Sequence, residues 1–261
     1  MIALLALPVA IIVSLCWYLP IVKALGNNTA LEMGDYLYIA LVGGFGFTCI
    51  FIIITELAWD RAWATLMGSQ VRSDLFANFM SDFFRAALLE ELFKFLGFKL
   101  ALNKYQPKRK IDYMLIAGLI GLVYGVVEKA VSGSIAGVLV GLAIPMHITW
   151  QLNQGGHYFE YERLKAAGNQ ESANKELMIA LLGTFLFHGL WDFGLDLGLE
   201  MLSMEQMVIS VLGGVLMLAM VVGGVVYCVR TVRKAIRIAK EAPSVESVAQ
   251  HMAPQTPVKP E

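Results

Sequence analysis

The sequence predicts an all-α fold, a polytopic membrane helix bundle of about seven transmembrane helices with one interfacial amphipathic segment. Three observations lead there. Of 261 residues, 57% are hydrophobic and only 16% are charged, against about 25% charged in soluble domains. The mean hydropathy is +0.64. The apolar residues gather in runs of roughly 20, the length at which a helix crosses a bilayer. The lipid bilayer is therefore the first partner. A net charge of −1 with no basic patch points to no nucleic acid partner. Cys16, Cys49 and Cys228 stand singly in apolar runs. They lack metal or redox spacing and read as small core residues.

Taken in order, residues 1–21 are uncharged and form a first helix, a retained span without the basic start of a signal peptide. Gly26-Asn27-Asn28 ends it, and residues 36–55 form a second uncharged helix. Over 56–82, Trp59, Trp63, Met67, Leu75, Phe76 and Phe79 recur at helical spacing among Asp60, Arg61, Arg72 and Asp74. That pattern predicts the interfacial segment, with tryptophans at headgroup depth. Residues 83–102 are a third helix despite its charges, because its uncharged residues are nearly all apolar. A basic loop over 103–112 follows, then helix four over 113–131. A Ser-Gly-Ser turn at 132–134 leads to helix five, which runs to about Tyr158. A polar loop at 160–176, helix six at 177–197 and helix seven at 206–229 complete the bundle. The expected organisation is two N-terminal helices (1–55), the interfacial segment (56–82), a membrane core with the last helix (83–229), and a basic juxtamembrane segment with a disordered tail (230–261). Lysine and arginine concentrate at 103–112, 160–176 and after Val229. This places those segments and the C-terminus in the cytoplasm, with the cell membrane as the expected location.

Within the third helix, Glu90, Glu91 and Lys94 sit in an apolar run. A charge at the centre of a bilayer costs about 2.5–3.5 kcal/mol on insertion scales, so such groups face protein, pair, or work. Lys94 shares a face with Glu90 four residues back and nearly with Glu91 three back. One lysine balances one carboxylate, so the other acid needs a polar group from another helix. The neighbouring helices carry several. Gly121, Gly125 and Glu128 line one face of helix four, and the glycines permit close approach to the acid. His147 follows Pro145 by two, and His188 precedes Asp192 by four, a spacing at which an aspartate orients an imidazole. Carboxylates beside histidines suit water activation, with a lysine or imidazolium to stabilise an oxyanion. No serine or cysteine nucleophile stands out. Only four histidines are present, and His157 and His251 lie in polar regions. A three-histidine metal site in the membrane is thus excluded, whereas two histidines with carboxylates remain open, zinc included. Taken singly, each of these groups also reads as structural: a buried ion pair, a snorkelling acid, an interhelical bridge.

Four short motifs carry a resemblance. Glu90-Glu91-Leu92-Phe93-Lys94 is similar to the Glu-Glu-x-x-Lys motif of the PrsW family of intramembrane proteases, itself related to the CAAX-prenyl endopeptidase and bacteriocin-processing superfamily. Gly121-Leu122-Val123-Tyr124-Gly125-Val126-Val127-Glu128 resembles the second motif, Pro145-Met146-His147 the third, and His188-Gly189-Leu190-Trp191-Asp192 the fourth. Two departures stand out: Lys129 replaces the usual asparagine, and an arginine often found upstream of the third motif is missing. The resemblance implies an intramembrane endopeptidase acting on a membrane-protein substrate. It implies that Glu90 and Glu91 activate water with His147 and His188 while Glu128 assists, and that Lys94, Gly121, Gly125 and Asp192 support them. It leaves glutamate chemistry and metal dependence both open. The same residues also fit a catalytically silent scaffold or binding homologue, and a proton-coupled carrier. Nothing in the sequence sets an oligomeric state.

Overall fold

The computed structural model describes residues 2–26, 28–54, 65, 79–132 and 143–244. Almost all of the expected interfacial segment at 56–82, the turn at 133–134 and the tail beyond 244 lie outside the described residues. Among the described residues the secondary structure is helical, in seven helices. These are α1 (Ile2–Leu25), α2 (33–54), α3 (81–105), α4 (Lys110–Ser132), α5 (Ala143–Ala166), α6 (170–202) and α7 (Met207–Glu241). Stretches of π-helix interrupt α2 at Ile39–Gly46 and α6 at Ile179–Gly183, and α3 opens with another at Ser81–Ala87. Each widens the turn and re-aims the faces on either side of it.

Four helices among the described residues are long and apolar enough to cross a membrane, covering Met33–Phe51, Lys110–Glu128, Gln170–Leu202 and Met207–Glu241. The fold is an all-α membrane helix bundle. α3 falls short by hydropathy, but its faces are segregated. Phe84, Leu88, Leu92, Leu96 and Leu100 form an exposed apolar stripe, while Glu90, Glu91, Lys94, Gly97, Phe98 and Ala101 are buried. Charge inside and hydrocarbon outside is how a charged helix is accommodated in lipid.

α4 is the axis of the bundle: 78% of its spanning window is buried, against 11% for α7. α1, α2, α3 and α5 surround it. Tyr18 of α1 donates a 2.9 Å hydrogen bond to the Leu115 carbonyl of α4, and Ile111, Leu115, Ile116 and Ile120 form the core with Ile148 and Leu152 of α5. Small residues bring the backbones together where hydrophobic burial cannot drive association. A Cβ on Gly155 of α5 would stand 2.5 Å from the Tyr113 carbonyl, and one on Gly97 of α3 would strike the backbone of Gly43 in α2.

The loops are shorter than the sequence suggests. The polar 160–176 segment is helical except for a turn at 167–169. Its charges lie at helical spacing and pair: Arg163 with Glu160 at 2.7 Å and Lys175 with Glu171 at 2.8 Å. Gly168 at φ +76° makes the turn, and Asn169 caps α6 by accepting from the Ser172 amide. The 103–112 loop shrinks to 106–109, because α3 runs on to Tyr105 and α4 starts at Lys110. There Arg109 is buried, forms a bidentate pair with Asp112 at 2.6 and 2.8 Å, and donates to Asn28 and to the Pro243 carbonyl. Helix seven and the basic segment after it are one continuous helix of 35 residues. At 1.5 Å per residue it is about 52 Å long, so it outruns a bilayer core of ~30 Å.

Candidate active site

The polar residues of α3 to α6 meet in one cluster. From α3, Lys94 reaches back to both acids, 2.7 Å from Glu91 Oε1 and 3.3 Å from Glu90 Oε2. The sequence suggested that the lysine serves one acid; it bridges two. The lysine is fully buried, and its ammonium also lies 4.3 Å from the centre of the Tyr124 ring. From α5, His147 Nδ1 lies 2.9 Å from Lys94 Nζ, and Nε2 lies 2.8 Å from Glu128 Oε2 of α4. An ammonium only donates, so Nδ1 accepts and Nε2–H donates to Glu128. From α6, His188 Nδ1 donates to Glu91 Oε1 at 2.9 Å, while Nε2 lies 3.1 Å from Asp192 Oδ2 and 3.8 Å from Glu90 Oε2.

Glu128 and His147 meet where the end of α4 packs against the start of α5. Glu128 lies one turn before the end of α4 at Ser132, and His147 lies one turn after the described start of α5 at Ala143. Gly121 makes this possible: a Cβ there would strike the His147 carbonyl and stand 2.7 Å from Gln151 Cγ. Gly125 is buried on the same face of α4. Every expected site residue is thus in the cluster or on the helix face that supports it.

Three groups escaped the sequence reading. Gln151, one turn after His147, donates a 2.6 Å hydrogen bond to Glu91 Oε2. Trp150 stacks on His188 with ring centroids 4.6 Å apart. Tyr124 offers its ring face to the Lys94 ammonium and lies tilted against the His147 ring, with centroids 5.8 Å apart. The available signal was the polar run Thr149, Gln151, Asn153, Gln154 within an otherwise apolar helix.

Glu90, His147 and His188 each offer a ligand atom, all within 4.8 Å of one another, and all three residues are buried. Two histidines and one carboxylate are a donor set used by catalytic zinc. Glu91 on His188 Nδ1 supplies the outer hydrogen bond that orients a ligand imidazole. The residues fit a divalent ion. Two groups compete with the ion: the Lys94 ammonium uses lone pairs of Glu90 and His147, and Asp192 lies 3.1 Å from His188 Nε2.

Residues 35–226 match the model of the PrsW family of intramembrane metalloproteases. The chain belongs to that family. It is therefore an integral membrane enzyme, a protease. The family match extends beyond the four motifs at both ends, taking in α2 and most of α7. No curated protein and no solved structure matches the chain.

Proposed function

We propose that the chain is an endopeptidase that hydrolyses a peptide bond of a membrane-associated protein at the Glu90–Glu91–Glu128–His147–His188 cluster. The observation that carries this reading is the convergence of two histidines and three carboxylates from four helices in a buried site. Glu90, His147 and His188 are the residues that would hold zinc or another divalent ion, which supplies Lewis-acid polarisation of the scissile carbonyl.

The chain's own groups do the rest. Glu91 accepts from Lys94, Gln151 and His188, so its lone pairs are committed and it positions the other three. Glu128 is more exposed, with 28% of its side chain accessible, and has His147 as a neighbour. It takes the proton from the attacking water and returns it to the leaving amine. Lys94 stabilises negative charge developing on the carbonyl oxygen. The contact between Lys94 and His147 Nδ1 favours a second reading, in which the Lys94 ammonium takes the place of a metal ion and Glu90 takes the proton. In both readings the C-terminus of α7 faces the cytoplasm, by its basic residues, and the protein resides in the cell membrane.

The test is cleavage of single-span membrane proteins by the reconstituted protein, with Glu90→Ala and His188→Ala beside it, with and without chelator. Loss in both variants upholds the site, and the chelator separates the two readings. Equal cleavage by Glu90→Ala removes the assignment.

A further inference from the structure

A cavity of about 150 Å³ lies beside His188, lined in part by Trp150, Asn153, Gln154 and His157 of α5, Thr184 of α6 and Tyr227 of α7. It sits against the cluster: Trp150 stacks on the His188 ring, and Thr184 is one turn before His188 on α6. A second, apolar cavity of about 270 Å³ shares Trp150, Phe187 and Tyr227 with it and extends between α6 and α7 along Leu190, Met220 and Gly223. Phe187 and Leu190 are exposed on the lipid-facing side of the bundle. A path thus leads from lipid, through an apolar cleft, to a polar cavity next to the cluster.

Two residues that line the smaller cavity each carry a buried polar atom that lacks a partner among the described residues. These atoms are the indole Nε1 of Trp150 and the amide Oε1 of Gln154. The Gln154 amide is oriented by its other end, since Nε2 donates to the Ala180 carbonyl in the π segment of α6. One orphan is a donor and the other an acceptor, four residues apart on one face of α5. That spacing is about 6 Å along a helix, close to the ~6.6 Å two-residue repeat of an extended chain. A peptide bond inside a membrane helix is shielded by its own hydrogen-bonded backbone, so cleavage requires local unwinding. Unwinding frees main-chain N–H and C=O groups that hydrocarbon cannot satisfy.

We propose that this cavity holds the unwound main chain of the substrate beside the scissile bond, with Trp150 Nε1 donating to a substrate carbonyl and Gln154 Oε1 accepting from a substrate amide. The proposal rests on the proteolytic reading of the site and assigns Trp150 and Gln154 to the substrate main chain.

The test uses the full chain carrying Glu90→Gln, in nanodiscs, so that the probe is held without turnover. The probe is a fluorescein-labelled single-span Leu-Ala peptide with a central Gly-Gly pair, read by anisotropy. Gln154→Met and Trp150→Phe are each expected to weaken binding about tenfold, the scale of one hydrogen bond. Replacing the central amides of the probe with esters, one at a time, removes single N–H donors without touching the protein. One position is expected to cost about the same tenfold in the parent and nothing further in Gln154→Met. Absence of saturable binding, a flat ester scan in the parent, or equal affinities across the variants would overturn the subsite. Binding with the expected signature in a protein that cleaves nothing upholds the subsite and removes the hydrolytic reading. Cleavage by the wild type with a flat ester scan does the reverse.

Discussion

Gln151 Nε2 lies 2.6 Å from Glu91 Oε2, a hydrogen bond that ties α5 to α3 through a neutral residue belonging to none of the four motifs. With Lys94 and His188 on the other oxygen, it fixes the carboxylate from three helices. Gln151→Leu leaves Glu91 Oε2 buried without that donor and loosens the anchor of His188. Groups of this outer kind typically contribute 10–100-fold to metal affinity or activity. The expected result is a drop of about that size in kcat with KM nearly constant. A change confined to KM would place Gln151 on the substrate instead.

Lys94 and the proposed ion compete for Glu90 and His147. Lys94→Met is therefore expected to lose cleavage yet bind zinc at least about tenfold more tightly, as removal of a competing charge requires. Isothermal titration with zinc on the chelated protein checks this. Unchanged affinity would show that the ammonium and the ion do not share lone pairs.

Gly121 sets the separation of α4 and α5 at the cluster. In Gly121→Ala, the new Cβ meets the His147 carbonyl, a backbone atom with little freedom to move. Overpacking of this kind costs roughly 1–3 kcal/mol. The variant is expected to melt earlier and to lose activity as Glu128 is pushed off His147. Gly34→Ala serves as the control, since a Cβ there meets nothing within 4 Å.

Arg109 is far from the cluster in role and buried in place. It joins the loop after α1, the first turn of α4 and the chain after α7 through Asn28, Asp112 and Pro243. Arg109→Ala leaves Asp112 buried without its partner, a loss on the order of 3–5 kcal/mol. The variant is expected to unfold at lower temperature or denaturant while each folded molecule keeps its full turnover. A turnover loss at unchanged stability would connect this end of the bundle to the site.

The site residues were legible because charge in an apolar helix is conspicuous: Glu90, Glu91, Lys94, Glu128, His147, His188 and Asp192 all stand out from their runs. What was hidden had no such contrast. Gln151 and Trp150 look like ordinary members of a mixed helix until α3 and α6 are laid against them. The polar 160–176 stretch resembled a loop because its hydropathy is low, yet its charges repeat at three and four residues, as on a solvated helix. Arg109 counted as a loop charge by composition, and only the structure shows it buried against Asp112. The exposed stripe on α3, one leucine or phenylalanine every fourth residue, was present in the sequence but masked by averaging over both faces.

The charged face of α3 also bears on how the protein is made. α3 is not among the helices apolar enough to cross a membrane alone, and its acids take their partners from residues translated later. Gln151 follows Glu91 by 60 residues and His188 follows it by 97. At a synthesis rate of about 5–20 residues per second, α3 waits roughly 5–20 s for His188. Through that interval Lys94, four residues from Glu90 and three from Glu91, is the basic group of α3 within a turn of both acids. The lysine thus has a duty during biogenesis that precedes any catalysis: it keeps an acidic helix insertable until its neighbours arrive.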